Sequence, residues 1–491
     1  MRTVAISERP SAGRATRGVW DVAVIAVGVS FVGLSMAFLL TAGLWYVALA
    51  MVVAVPTFVL VHRRPLVAVS LWLFLAPFLM VSENAAIRKA FWLVHRLLPL
   101  GALAIAWLTP RLGVTTRRLP KLGWAEAMMG GYVVATFLSI AYTSPDLVAT
   151  AILFYDRVMA PMCLYMVIRL SRPDEADIRW MVAATVFLLI TQTMIGLMQW
   201  VLPGALPGEW VTHAGERTTG SFRDVNVYGV TMTFCALLLL HYGSEMTRGF
   251  RRVVFLSLSV LAMLMLFLTF SRASWVVLAI LVVTLIYVQR PYFPRVLMVV
   301  VPALILLASF GTFDAQLSWA RQRLMSSESD ESALSRLPVV YASIRMFEAK
   351  PLAGWGYENF DRYDRQFQRR VGDLIYPDKD HASHNLYLTT LAEQGIIGLL
   401  LLLGPAFYWL FRSFAVYPRL PSEGAMGRKF LVSMWLVAFG FVIINNFVRM
   451  QVQFGLGLWW VALGLIAVTV SAGAEPDRSA ASAPSHDAEV V

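Results

Sequence analysis

A histidine at position 384 is followed by Asn385 and then, inside one long apolar run, by Glu393, Gly395 and Gly398. An imidazole at a loop-to-helix junction is open to water and titrates near neutrality. His384 is therefore suited to taking the proton of a hydroxyl. The competing reading is an interfacial histidine that merely precedes a helix start. Glu393 falls about two turns into the run, where a carboxylate has to be protonated, paired with an arginine or hydrogen-bonded to another helix. The two glycines leave room for a neighbouring helix to come close.

Four arginines could handle phosphate. Arg272, in Phe270-Ser271-Arg272-Ala273-Ser274, sits in a tight turn between two apolar stretches. It reads either as a side chain reaching for lipid headgroups or as a clamp on two phosphate oxygens. Arg157, in Tyr155-Asp156-Arg157, lies well inside an apolar segment, where a charge is functional or paired. Asp156 is next to it in sequence but points about 100° away on a helix, so its partner has to come from elsewhere. Arg336 opens a helical pattern in a long loop. Arg223 closes a second polar loop that runs through Gly220-Ser221-Phe222-Arg223-Asp224-Val225-Asn226. Both also read as solvated surface charges. Asn226 is suited to a hydrogen bond between helices.

These residues belong to a membrane chain. The sequence has 491 residues, 58% of them hydrophobic and only 14% charged, against roughly a quarter charged in soluble proteins. Apolar stretches of spanning length recur near 20–40, 43–61, 66–81, 92–108, 123–143, 149–169, 179–201, 225–242, 252–270, 272–289, 294–311, 386–411, 429–447 and 453–471. They predict an all-α polytopic protein of about 12–14 transmembrane helices. Lysine and arginine concentrate in alternate short loops, around Arg63, Arg117, Arg172, Arg251, Arg295 and Arg419. That bias places both termini in the cytoplasm and the opposite loops outside. The +11 net charge then faces anionic lipid, and nucleic acid need not be invoked. The polar, basic first residues and the long first apolar run predict no cleavable leader. Cys163 and Cys235 both fall within spans, which excludes a disulfide framework.

The longest loop, 311–385, is predicted outside. It carries charges of both signs and a helical pattern in two pieces. Leu337, Val340, Tyr341, Ile344 and Phe347 form one stripe, and Phe360, Tyr363, Phe367 and Val371 another. Between them Pro351-Leu352-Ala353-Gly354-Trp355-Gly356 reads as a turn. Two amphipathic helices lying on the membrane or capping the bundle are expected, and an ordered loop of this length is usually functional. The expected organisation is a cytoplasmic tail 1–19, N-terminal helices 20–182, a catalytic region 183–405 containing the long loop, C-terminal helices 406–472 and a disordered cytoplasmic tail 473–491.

No Walker loop, GxSxG or paired cysteines occur. His381 and His384 share a helical face near Asp378 and Asp380, but no clear third ligand completes a metal site, and none is expected.

In order and spacing these pieces resemble the O-antigen ligases and polymerases, bacterial inner-membrane enzymes acting on lipid-linked glycans. The resemblance covers roughly 183–405. It is carried by Gly220 to Asn226, by Ser271-Arg272, by Arg336 followed by Pro351 to Gly356 and Phe360, and most specifically by His384-Asn385 with Gly395-x-x-Gly398. It implies a GT-C-like helical glycosyltransferase using neither metal nor nucleotide. The donor would be a glycan on undecaprenyl pyrophosphate, and the acceptor a glycan or lipid A–core hydroxyl at the periplasmic face. His384 would activate that hydroxyl for an inverting attack. Arg272 and Arg336 would hold the pyrophosphate, with Arg157 and Arg223 less well matched. Asn385, Glu393, Gly354, Gly356, Asn226 and Ser271 would support them. Two departures are Ala382, where members often carry a second histidine, and a span count above the usual dozen. A polymerase, a protein O-oligosaccharyltransferase and, from another class, a glycan transporter remain alternatives.

Overall fold

The computed structural model describes residues 57–80, 85–113, 119–211, 217–245, 249–288, 337–367, 385–445 and 453–474. The chain forms two compact units, Met1–Arg63 and Arg64–Val491. The described part of the first, 57–63, is helical. The second is helical throughout its regular structure, among the described residues.

Its helices are α1 (Leu66–Leu79), α2 (Ala85–Trp92, then a π-helical turn Leu93–Leu97, then Leu98–Arg111), α3 (Trp124–Thr143) and α4 (Leu147–Phe154, a π-helical turn Tyr155–Met159, then Ala160–Ser171). There follow α5 (Glu175–Val201), α6 (Val225–Glu245), α7 (Phe250–Phe267) and α8 (Arg272–Val288). The long loop contributes α9 (Leu337–Ala349) and α10 (Phe360–Phe367). The chain ends with α11 (Leu386–Val416), α12 (Arg428–Asn445) and α13 (Gln453–Ala474). Among the described residues eight helices are long and apolar enough to cross a membrane, and two shorter apolar ones accompany them. This is a polytopic membrane protein. The expected pair 252–270 and 272–289 is present as α7 and α8, joined by the turn at Leu268–Ser271. The expected spans at 20–40 and 294–311, and most of 43–61, lie outside the described residues.

Helices α6 and α13 are apolar on every side and sheathed almost completely by their neighbours, as an all-round hydrophobic helix should be. Helix α6 packs on α7 and α12, and α13 packs on α4 and α12. Helix α3 lies along α11. At the far end of α3 and α11, a buried knot pins three helices. Glu126 accepts from the Tyr165 hydroxyl (2.8 Å) and from Arg169 Nε (3.2 Å), while Trp409 Nε1 donates to the Tyr165 oxygen (2.9 Å). Asp174 caps α5 and pairs with Arg64 at 3.0 Å. Although partial desolvation pulls the other way, the Asp177 N–H and the Arg64 guanidinium hold its carboxyl below the ordinary range.

The two expected loop helices are present as α9 and α10, packed on the Asn385 end of α11. The buried face of α9 is not the expected one. Pro338, Val339, Ala342, Ser343 and Met346 are buried, whereas Tyr341 and Ile344 are exposed. Val339 and Met346 pack with Phe360 and Ala392, closed over by Trp355, Tyr363 and Phe367. Helix α9 has apolar residues on two faces, so periodicity alone could not choose between them.

Candidate functional site

Asn385 is where the site begins. Its side-chain oxygen accepts from the N–H groups of Tyr387 (2.9 Å) and Leu388 (3.0 Å), so it is the N-cap of α11. His384, immediately before it, lies outside the described residues, as do Arg336, His381, Asp378 and Asp380.

Ten residues into α11 the helix breaks. Gly395 has φ 64° and ψ −167°, left-handed and extended backbone that an L side chain rarely adopts. In an unbroken helix the carbonyls of Ala392 and Glu393 would accept from Ile396 and Ile397, four residues on. Here the turn at Pro351–Gly356 is inserted between them. The Trp355 N–H donates to the Ala392 carbonyl (3.0 Å) and the Gly356 N–H to the Glu393 carbonyl (2.7 Å). The N–H groups of Ile396 and Ile397 donate instead to Pro351 (2.8 Å) and Leu352 (3.3 Å). Two helical bonds are thus exchanged for four bonds to the loop. The backbones come so close that a Cβ on Gly354 would stand 2.3 Å from the Glu393 carbonyl carbon, and one on Gly395 would stand 2.3 Å from the Leu352 oxygen. Gly356, also at positive φ, faces Thr143 at the end of α3. The expected close approach at Gly395 is real, but the partner is a turn rather than a helix.

The same turn presses on α3 and α4. The Tyr357 N–H donates to Ser139 Oγ (3.1 Å), Asn359 Nδ2 donates to the Thr143 carbonyl (3.3 Å), and the Tyr357 ring meets Phe154 edge-on. Burial pushes the Tyr357 phenol well above its ordinary value, so it stays neutral. Glu393 Oε1 accepts from the Phe360 N–H at 3.0 Å, so this buried carboxyl group is met by the first residue of the loop helix α10.

Arg157 reaches the same place. It sits in the π-helical turn of α4, and its Nη1 donates to Glu358 Oε1. Glu358 has φ 61°, a strained left-handed conformation for a residue with a side chain. Asp156 is indeed no partner of Arg157. It takes a fork from Arg96, Nε to Oδ1 and Nη2 to Oδ2, both at 2.5 Å. His95 beside it donates from Nε2 to the Asp156 carbonyl (2.7 Å), which leaves Nδ1 to accept from Trp72 Nε1 (3.2 Å). The π turns of α2 and α4 therefore face each other. Adjacent charges point one to the bundle and one to the loop.

A second group gathers around α6 and α8. Ser271 Oγ donates to Asn226 Oδ1 at 3.0 Å, tying the start of α8 to the start of α6. Arg272 follows at the first position of α8, exposed and without an ion pair among the described residues. Arg223 is exposed in left-handed backbone, and its Nε donates to the Glu209 carbonyl at 2.7 Å.

Two residues that the sequence reading missed hold this group in place. Gln199 Nε2 donates to Thr219 Oγ1 and to the Gly220 carbonyl, both at 2.9 Å, and to the Trp210 carbonyl. Its Oε1 accepts from the N–H groups of Thr219 (3.0 Å) and Gly220 (3.2 Å). Gln192, one heptad earlier on α5, does the same for Ser221, whose hydroxyl then donates to the Pro77 carbonyl at 2.8 Å. Both glutamines are fully buried. Their signal was available, because two amides seven residues apart share one helix face in an otherwise apolar span.

Residues 257–403 match the family model for O-antigen ligase. That stretch is similar to the O-antigen ligase family. It runs from within α7 to within α11 and so takes in Ser271-Arg272, Arg336, the inserted turn, His384-Asn385, Glu393 and Gly395. Arg157, Arg223 and Asn226 precede the O-antigen ligase match; Arg157 meets it through Glu358 and Asn226 through Ser271. No curated protein matches the chain. The match supports an O-antigen ligase-like function in surface-polysaccharide biosynthesis.

Proposed function

We propose that the protein transfers a glycan from undecaprenyl pyrophosphate to an acceptor hydroxyl at the periplasmic face of a bacterial inner membrane. The observation that carries this reading is the O-antigen ligase match, because it contains His384, which directly precedes the helix N-cap Asn385 in the sequence. His384 takes the acceptor proton as the hydroxyl oxygen attacks the anomeric carbon. The bond from that carbon to the pyrophosphate breaks on the opposite face, with inversion. Arg272 and Arg336, helped by Arg157 and Arg223, neutralise the leaving pyrophosphate, and fixed donors of this kind lower the barrier without reorganising. No metal enters the scheme, since a pyrophosphate already leaves readily once its charge is met. Membrane anchoring of donor and acceptor contributes proximity. The loop insertion at Gly395 supports the reading by fixing the start of α11 against the loop, which a base working on two bulky substrates requires.

The test is a defined reaction. Purified protein in liposomes is given lipid-linked glycan and a lipid A–core acceptor, and both the product and the undecaprenyl pyrophosphate released are measured. The expected result is one pyrophosphate carrier released per glycan transferred, with Arg272→Ala slower by about 100-fold. Glycan joined to glycan instead would make the protein a polymerase. Movement of the intact donor across the bilayer without release would make it a transporter.

A further inference from the structure

The geometry points to Glu358 as a carboxylate that occupies the Arg157 guanidinium and must be displaced by the pyrophosphate of the donor. The inference rests on the lipid-linked donor reading above and names a regulating residue for that site.

Arg157 is set up to bind an anion. It lies in a π-helical turn, a distortion that concentrates at functional sites. Its side chain is 13% exposed, and its buried Nε has no hydrogen-bond partner among the described residues. The guanidinium thus has a donor left over after pairing with Glu358, and phosphate oxygens suit such a fork at least as well as a carboxylate does.

Glu358 is set up to leave. It belongs to no helix, and it sits in the turn in left-handed backbone. Its side chain is 29% exposed, more than the 13% of the guanidinium side chain it pairs with. Its neighbours on either side are the fixed points, Tyr357 on Ser139 and Asn359 on Thr143. The side chain can therefore swing while the turn stays inserted in α11.

Charge decides between displacement and joint binding. With Glu358 in place, its carboxylate already meets the guanidinium and would repel a pyrophosphate. With Glu358 withdrawn, the cation is free to meet it.

The experiment measures binding of undecaprenyl pyrophosphate, in nanodiscs, to wild type, Glu358→Gln, Arg157→Gln and the double variant. Inorganic pyrophosphate is the parallel probe, and thermal melting checks that each protein is folded. The expected result is a dissociation constant about fivefold lower for Glu358→Gln, higher for Arg157→Gln, and no gain from Glu358→Gln once Arg157 is replaced. Should Glu358→Gln fail to fold, Glu358→Asp keeps the charge but shortens the reach, and the same direction is expected. Wild type that binds the lipid while a folded Glu358 variant binds no tighter would overturn the displacement and leave the donor reading intact. Gain for inorganic pyrophosphate alone would also overturn it, by making the ligand a free anion. No lipid binding by any folded protein would overturn both.

Discussion

Gln199 satisfies two backbone N–H groups and two carbonyls of neighbouring loops with a single buried side chain. Each buried polar group left without a partner costs about 1–3 kcal/mol, so Gln199→Leu should lower the melting temperature of the detergent-solubilised protein by many degrees. Gln192→Leu should cost less, since it strands only the Ser221 N–H and loosens one hydroxyl. Equal melting of Gln199→Leu and wild type would mean that the 218–223 turn is held by something else. Asn385→Ala removes an N-cap and should cost about 1 kcal/mol, a smaller loss than Gln199→Leu in the same melt. At this scale the sequence was partly legible. Asn226, Ser271 and Arg157 stand out because polar groups inside apolar runs need partners, and each has one. The identity of those partners was not legible. Glu358 is 201 residues from Arg157, and nothing local marks it as the answering charge.

The element that matters most is the broken helix α11. Its first ten residues are attached to the bundle through the Pro351–Gly356 turn as much as through their own continuation. Gly354→Ala would drive a methyl group into the Glu393 peptide and Gly395→Ala one into the Leu352 carbonyl, each from a left-handed backbone. Both should release the turn and expose the loop to protease at concentrations that leave wild type intact, with the rest of the bundle still folded. Resistance equal to wild type in both variants would contradict the insertion. The break itself could not be read in advance. A glycine inside an apolar run signals close approach, and the sequence carries no mark of whether the approaching backbone is a helix or a turn. Helix α9 shows the same limit, since both its stripes are apolar and only the packing against α10 and α11 chose between them.

Across the whole molecule, the helical membrane architecture was legible because spanning segments must satisfy every backbone group internally and so announce themselves by length and hydropathy. The arginine-rich loops predict the orientation. Green fluorescent protein fused after residue 474 should therefore fluoresce, and alkaline phosphatase inserted in the long loop should be active, as expected for cytoplasmic and periplasmic positions. The reverse pattern would invert the topology and put His384 on the wrong side for the proposed chemistry. The central claim is that His384 takes the acceptor proton outside the membrane. The most direct measurement compares wild type with His384→Ala at equal membrane levels in cells lacking the natural gene, reading surface glycan and lipid-linked precursor together. Removing a general base should slow transfer by about 100- to 10,000-fold, so glycan disappears while precursor accumulates on the periplasmic side. Normal surface glycan from the His384→Ala protein would contradict the assignment.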